Sequence, residues 1–216
     1  MTSDPNHYPS YSCGERVADG TVHAIGVIGA LMGATAIVLW TAMTQDAARV
    51  AAVTVYGLAL IATYVASSLY HFTPWEAARP IFRRFDHAAI FVKIAGTYTP
   101  FVVLIGTASA YVLLAAMWCV ALYGVLRKIF FRSSRGSVLL YLAMGWMGAW
   151  VILGAVTTLP VAVSVLVIVG GLLYTVGVIF YRWEGLKFSN AIWHGFVLAA
   201  TICFYVAISL GVGTVV

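Results

Sequence analysis

The chain has 216 residues, 62% of them hydrophobic and only 9% charged, with a mean hydropathy of +0.98. A soluble domain carries about 25% charged residues, so this balance excludes a soluble fold and indicates an all-α, polytopic membrane protein. The net charge of +5 does not point to nucleic acid, because the basic residues cluster in short loops, where they report topology.

Residues 1–20 are polar, hold Asp4, Glu15 and Asp19, and lack the basic start of a cleavable signal. They read as a cytoplasmic tail, with the first span acting as its own uncleaved signal. About 20 apolar residues cross a bilayer as a helix. Seven such runs make 21–216 one transmembrane domain: 21–43, 50–71, 87–106, 109–126, 137–157, 159–181 and 190–213. The weakest division is Gly106-Thr107-Ala108-Ser109, between the third run and the fourth. The fifth and sixth part at Thr157-Thr158-Leu159-Pro160, where proline suits a helix start.

Orientation follows from Lys and Arg. Every basic residue except Arg49 and Lys93 falls in the tail or in the loops after the second, fourth and sixth runs. The positive-inside rule then places the N-terminus in the cytoplasm and the C-terminus outside. Gly29-x-x-x-Gly33, and Gly145 with Gly148, have the spacing of close helix packing inside the bundle. Trp150, Trp183 and Trp193 near run ends read as interfacial anchors. Cys13, Cys119 and Cys203 form no disulfide framework.

Polar residues collect at one end of this topology. They are Glu15-x-x-x-Asp19-x-x-x-His23 at the first run, Ser67-x-x-x-His71 closing the second, Asp86-His87 opening the third and Asn190-x-x-x-His194 opening the seventh. Ionisable groups are costly near lipid and mark function by default. Residues four apart share a helix face, so convergence of these faces would build a polar pocket below the cytoplasmic surface. Imidazole is the commonest metal ligand, and a metal makes water nucleophilic near neutral pH. His71 and His194 are the leading ligands. Asp86 is the water-holding carboxylate and candidate general base, and a direct ligand if the site is short of one. Ser67 would assist from behind them. His7 and His87 read as tail and headgroup residues. For Glu15 and Asp19, solvation or an ion pair with Arg16 or a loop arginine weighs at least as much as a chemical role in the pocket. Lys93, seven residues past Asp86, needs a partner in Asp86 or Asp19 unless it is neutral, and its charge would oppose a metal cation.

The chain resembles the hemolysin III group of the progestin and adiponectin receptor family over nearly its whole length. The carriers are Glu15 to His23, Ser67-Ser-Leu-Tyr-His71, Arg84-Phe-Asp86-His87, Ile94 to Pro100, Tyr141 to Trp146, Gly177 to Tyr181 and Ala191-Ile-Trp-His194. The resemblance implies a seven-helix fold with a cytoplasmic N-terminus, in the cell membrane, as a multi-pass protein of a bacterial inner membrane. It also implies a zinc site near the cytoplasmic leaflet, with His71 and His194 as ligands and Asp86 contacting the water. Related families are membrane hydrolases of amides such as ceramide, some eukaryotic members are receptors, and bacterial members are linked to haemolysis or membrane homeostasis.

This chain departs from that pattern where it matters. Asn190 stands where the family has the first histidine of His-x-x-x-His, Phe204 stands where a further histidine is often found, and Asp19 stands where asparagine is usual. Weakened zinc, a re-ligated site using Asp86 or Asp19, and an empty polar pocket all remain open. The leading expectation is a zinc-dependent hydrolase of a lipid amide or ester, with membrane lipid as partner. The alternatives are a non-enzymatic membrane-homeostasis sensor, and a channel or proton-coupled transporter.

Overall fold

The computed structural model describes residues 11–131, 137–155, 158–183 and 185–214. Asp4, His7, Arg132, Arg135 and Thr157 lie outside them. Among the described residues seven helices follow one another: α1 (Cys13–Thr44), α2 (Ala47–Phe72), α3 (Arg79–Ile105), α4 (Ala108–Ile129), α5 (Ser137–Gly154), α6 (Val161–Arg182) and α7 (Ser189–Thr214). Each is long and apolar enough to cross a membrane, and the described residues contain no strand. Only helices of this kind, or closed barrels, satisfy their backbone groups inside lipid.

Two helices start about two turns earlier than their apolar runs. Ser12 caps α1 in a capping box: its hydroxyl accepts from the Glu15 amide, and the Glu15 carboxylate accepts from the Ser12 amide. Glu15 and Asp19 are therefore helical rather than part of a loose tail. Helix α3 begins at Arg79 with Pro80 in its first turn. Arg79 binds the Glu76 carboxylate and donates to the carbonyls of Tyr70 and Thr73, fastening the α2–α3 turn. The break between the third and fourth runs is real. Gly106 ends α3 at a φ of 68°, a left-handed cap that glycine adopts without strain, and Thr107 caps α4.

Helix α3 is the most buried of the seven and packs against α2, α4, α5 and α7. Helix α1 lies against α2 and α7. The interior holds Tyr56, Phe101, Ile37, Ile152, Val163 and Ile208, while Met32, Leu58, Val112, Leu139 and Val161 face outward. An apolar outer face is what hydrocarbon requires.

The small-residue pairs divide their work. Gly33 receives the Tyr205 ring and Gly148 the Tyr98 ring, whereas nothing approaches Gly29 or Gly145 closely enough to need glycine. Trp150 and Trp183 are exposed, in keeping with anchoring. Trp193 is not: its ring packs on Gly177 and lies 5.3 Å from the Tyr181 ring, because that face of α7 meets α6.

Candidate functional site

The polar residues of α1, α2 and α7 meet at one end of the bundle. His23, His71 and His194 bring one ligand atom each within 4.8 Å of one another. Ring centroids are 4.2 Å apart for His23–His194, 4.8 Å for His71–His194 and 5.3 Å for His23–His71. His23 is buried, and the His71 and His194 side chains are 8% and 12% exposed. A narrow cleft of about 10 Å³ lies beside them, lined in part by Glu15, Asp19, His71, Phe72 and Asn190. That is room for about one water molecule.

The three helices interlock through their i,i+4 pairs. His23 Nε2 accepts from Ser67 Oγ at 3.0 Å, and Ser67 is the partner of His71 one turn away. His71 Nδ1 accepts from the Asn190 amide at 3.3 Å, and Asn190 is the partner of His194. His194 Nδ1 meets Asp19 Oδ1 at 2.7 Å, and Asp19 is the partner of His23. Each histidine is thus held by the residue four positions before the next.

Asp19 is the hub. Its backbone carbonyl accepts from His23 Nδ1 at 2.9 Å, one carboxylate oxygen accepts from His194, and the other accepts from Asn190 at 2.8 Å. A carbonyl or carboxylate oxygen can only accept, so both Nδ1 atoms carry protons and both Nε2 atoms carry lone pairs. This is how a metal-ligating histidine is usually oriented from behind. Ser67 has one proton and two acceptors, His23 Nε2 and the adjacent Asp86 carboxylate. Lone pairs outnumber protons here, and a divalent cation would supply positive charge to match them. The residues present fit a metal ion, and the three histidines could hold one. His71 is the ring that must adjust. With Asn190 donating to Nδ1, its proton sits on Nε2, and binding through Nε2 would turn Nδ1–H toward Asp19 Oδ2, now 3.9 Å away.

The expected ligands His71 and His194 lie together, and Asp86 stands beside Ser67 rather than among the three nitrogens. The third imidazole is His23, which sequence reasoning left in the surrounding pocket. Its signal was visible: Asp19-x-x-x-His23 repeats the polar-x-x-x-His spacing of Ser67–His71 and Asn190–His194. Asp19 is not a solvated tail residue; it is 5% exposed. One Glu15 carboxylate oxygen serves the α1 cap, and the other accepts from the Phe188 amide at 3.0 Å. Phe188 has a φ of 63°, costly for a bulky residue, and this bond holds it just ahead of α7. His87 ties helices together. Its Nδ1 donates to the Arg83 carbonyl at 2.6 Å, and its Nε2 lies 3.4 Å from the Tyr181 hydroxyl.

Lys93 reaches neither expected carboxylate. It donates to Thr201 Oγ1 at 2.7 Å and lies over the Tyr64 and Tyr174 rings, 5.0 and 5.4 Å from their centroids. Tyr64, Lys93 and Thr201 each sit seven residues from His71, Asp86 and His194 on the same helix. Two turns of helix place this second polar layer about 10 Å deeper in the bundle.

Residues 12–205 match the family model described as haemolysin-III related. The chain belongs to the haemolysin-III related family. The hemolysin-3 homolog of Bacillus subtilis is 35% identical over 195 residues, covering 88% of this chain and 91% of that protein. Hemolysin-3 of Bacillus cereus is 36% identical over 194 residues, covering 88% and 89%. The human monocyte to macrophage differentiation factor is 27% identical over 207 residues, covering 91% and 84%. This haemolysin-III relative is therefore an integral, multi-pass membrane protein, and the histidine centre lies wholly within the matched region.

Proposed function

We propose that the chain is a zinc-dependent hydrolase of a membrane lipid, cutting an amide or ester linkage at the cytoplasmic leaflet of the cell membrane. The observation that carries this reading is the interlocked His23–His71–His194 centre, with Ser67 and Asp86 at its edge. His23, His71 and His194 would hold the ion, in a three-histidine set of the kind catalytic zinc uses. When bound, zinc supplies the Lewis acidity that makes water nucleophilic near neutral pH. Asp86 accepts the proton of the attacking water as general base. Ser67 turns its hydroxyl proton toward the carbonyl oxygen of the linkage. Asp19 keeps the Nδ1 atoms of His23 and His194 protonated, so that Nε2 faces the centre. The basic loops at this end support the cytoplasmic assignment.

The test is zinc content and turnover of ceramide-like amides and phospholipid esters by the purified protein in lipid. About one zinc per chain is expected, lost in His71→Ala and in His23→Ala. Asp86→Asn should keep the zinc and lose turnover. A zinc-loaded protein with no metal-dependent turnover of either substrate class would sink the hydrolase reading.

Asn190 favours one alternative. A non-enzymatic sensor of membrane state would use the metal as a clamp on α1, α2 and α7, and would tolerate a changed ligand position. Bound zinc without turnover, with altered membrane lipid composition in a deletion strain, would support it.

A further inference from the structure

An apolar groove of about 350 Å³ opens on the outer face between α1 and α2. Val27, Val65, Leu69, Phe72 and Trp75 form its walls. Val65, Leu69 and Trp75 are 39%, 44% and 66% exposed. Val27, Val65 and Leu69 belong to membrane-spanning helices, so what borders the groove is hydrocarbon. Trp75 stands past the end of α2, where an amphipathic ring suits the headgroup level.

Two features set this groove apart from ordinary lipid-facing surface. The first is Ser68, which lines it. Its hydroxyl oxygen is buried and has no hydrogen-bond partner. A helical serine or threonine in lipid commonly donates to the carbonyl four residues back, as Thr63 does to Ala59 at 2.8 Å. Ser68 makes no such bond, and an unpaired hydroxyl is costly in hydrocarbon. The second is Phe72, which lines both this groove and the cleft of Asp19, His71 and Asn190. Its ring stands edge-on to His23, with centroids 5.1 Å apart. One side chain therefore partitions the lipid-facing groove from the histidine centre.

We propose that the α1–α2 groove seats one acyl chain of a membrane lipid, and that Ser68 Oγ donates to the carbonyl of that chain's amide or ester linkage. From a linkage between Phe72 and Ser68 the chain runs along α2 past Val65, and the helical wall from Phe72 to Val65 rises about 10 Å. The linkage end rests beside Phe72, and a turn of that ring admits it to the histidines laterally, from within the leaflet. The occupancy of the groove stands on the groove alone. Its link to catalysis deepens the hydrolase reading and rests on it.

The experiment uses the full chain in lipid nanodiscs with a ceramide analogue carrying a photoreactive diazirine on its acyl chain. Cross-linked peptides are mapped by mass spectrometry, and zinc content is measured on the same samples. Labelling concentrated on residues 65–75 is expected. Leu69→Trp and Val65→Trp, which fill the groove, should reduce that labelling several-fold, while Leu58→Trp, elsewhere on the outer face of α2, should not. Ser68→Ala should weaken labelling by the ceramide analogue but not by a diazirine hydrocarbon that lacks an amide. Zinc content should be unchanged in all four variants. Labelling spread evenly over the outer face, or indifferent to both tryptophans, would overturn the proposal and leave the metal reading intact. Selective labelling in a protein without zinc would uphold the groove and remove the hydrolase reading.

Discussion

The Asp19 carboxylate accepts from His194 Nδ1 at 2.7 Å across a separation of 175 residues, and this contact joins the first helix to the last. The same carboxylate holds Asn190, which stands at the position of a histidine in the resembled family. Asp19 itself stands where asparagine is usual there. The two departures touch each other, so they form one altered pair. The negative charge of the pair would offset a cation held with one imidazole fewer from α7.

Asp19→Asn tests that role without changing size. Loss of the carboxylate removes the acceptor that orients His194 and the charge that offsets the ion. Zinc affinity, measured by competition with a chelator, should fall by about 10–100-fold. The double variant Asp19→Asn with Asn190→His should recover most of it. Equal affinity in wild type and Asp19→Asn would show that the carboxylate does not support the centre.

Lys93→Met addresses the deeper layer. A lysine near the middle of a span costs about 2.5–3.5 kcal/mol, and this one is balanced by a hydroxyl and two aromatic faces rather than a carboxylate. Tyr64 and Thr201 keep a 3.1 Å bond of their own without it. The variant should be more stable by about 1–3 kcal/mol in thermal unfolding in detergent. A marked loss of stability would mean that the ammonium organises the layer.

Gly26 lies under the Tyr64 ring, and any Cβ there would collide with it. Tyr64 is held by Thr201 and Lys93 on its far side and has little room to retreat. Gly26→Val should cost about 1–3 kcal/mol, read as a lower melting temperature. Gly29→Val on the same helix, where nothing approaches, should change little. Equal effects at the two positions would refute the packing account.

Glu76 lies between α2 and α3, outside the spans, and its side chain is 76% exposed. The hydrogen bonds from Arg79 hold its carboxyl below the usual carboxylate range. A depressed carboxylate stabilises the fold above its unfolded pKa and loses that contribution as pH falls through the folded value. Amide protection factors across the α2–α3 turn should therefore drop below about pH 4. Glu76→Gln should flatten that dependence, and a wild-type turn whose protection ignores pH would contradict it.

Several site features were legible along the chain and others were not, for identifiable reasons. The gathering of His23, His71, Asp86 and His194 at one end follows from run lengths and alternating helix direction. The membership of His23 in the centre depends on how α1 is rotated against α2 and α7, which periodicity does not report in a helix apolar nearly all round. Asp86 and His87 are neighbours in the chain but point about 100° apart on α3, so one meets Ser67 and the other Tyr181. Lys93 misses both expected carboxylates because a shared helix face says nothing of depth: two turns carry its amino group past them to Thr201.

By itself the sequence determined seven spans, the break at Gly106, the family and the end of the bundle where the polar residues collect. These are properties of run length, charge and local motif, and each is written within a few turns of one helix. The tertiary structure alone decided that three histidines converge, that Asp19 orients two of them, and that Phe72 divides a lipid groove from their cleft. Those relationships join residues on different helices, and their distances are set by how side chains interlock when the helices pack.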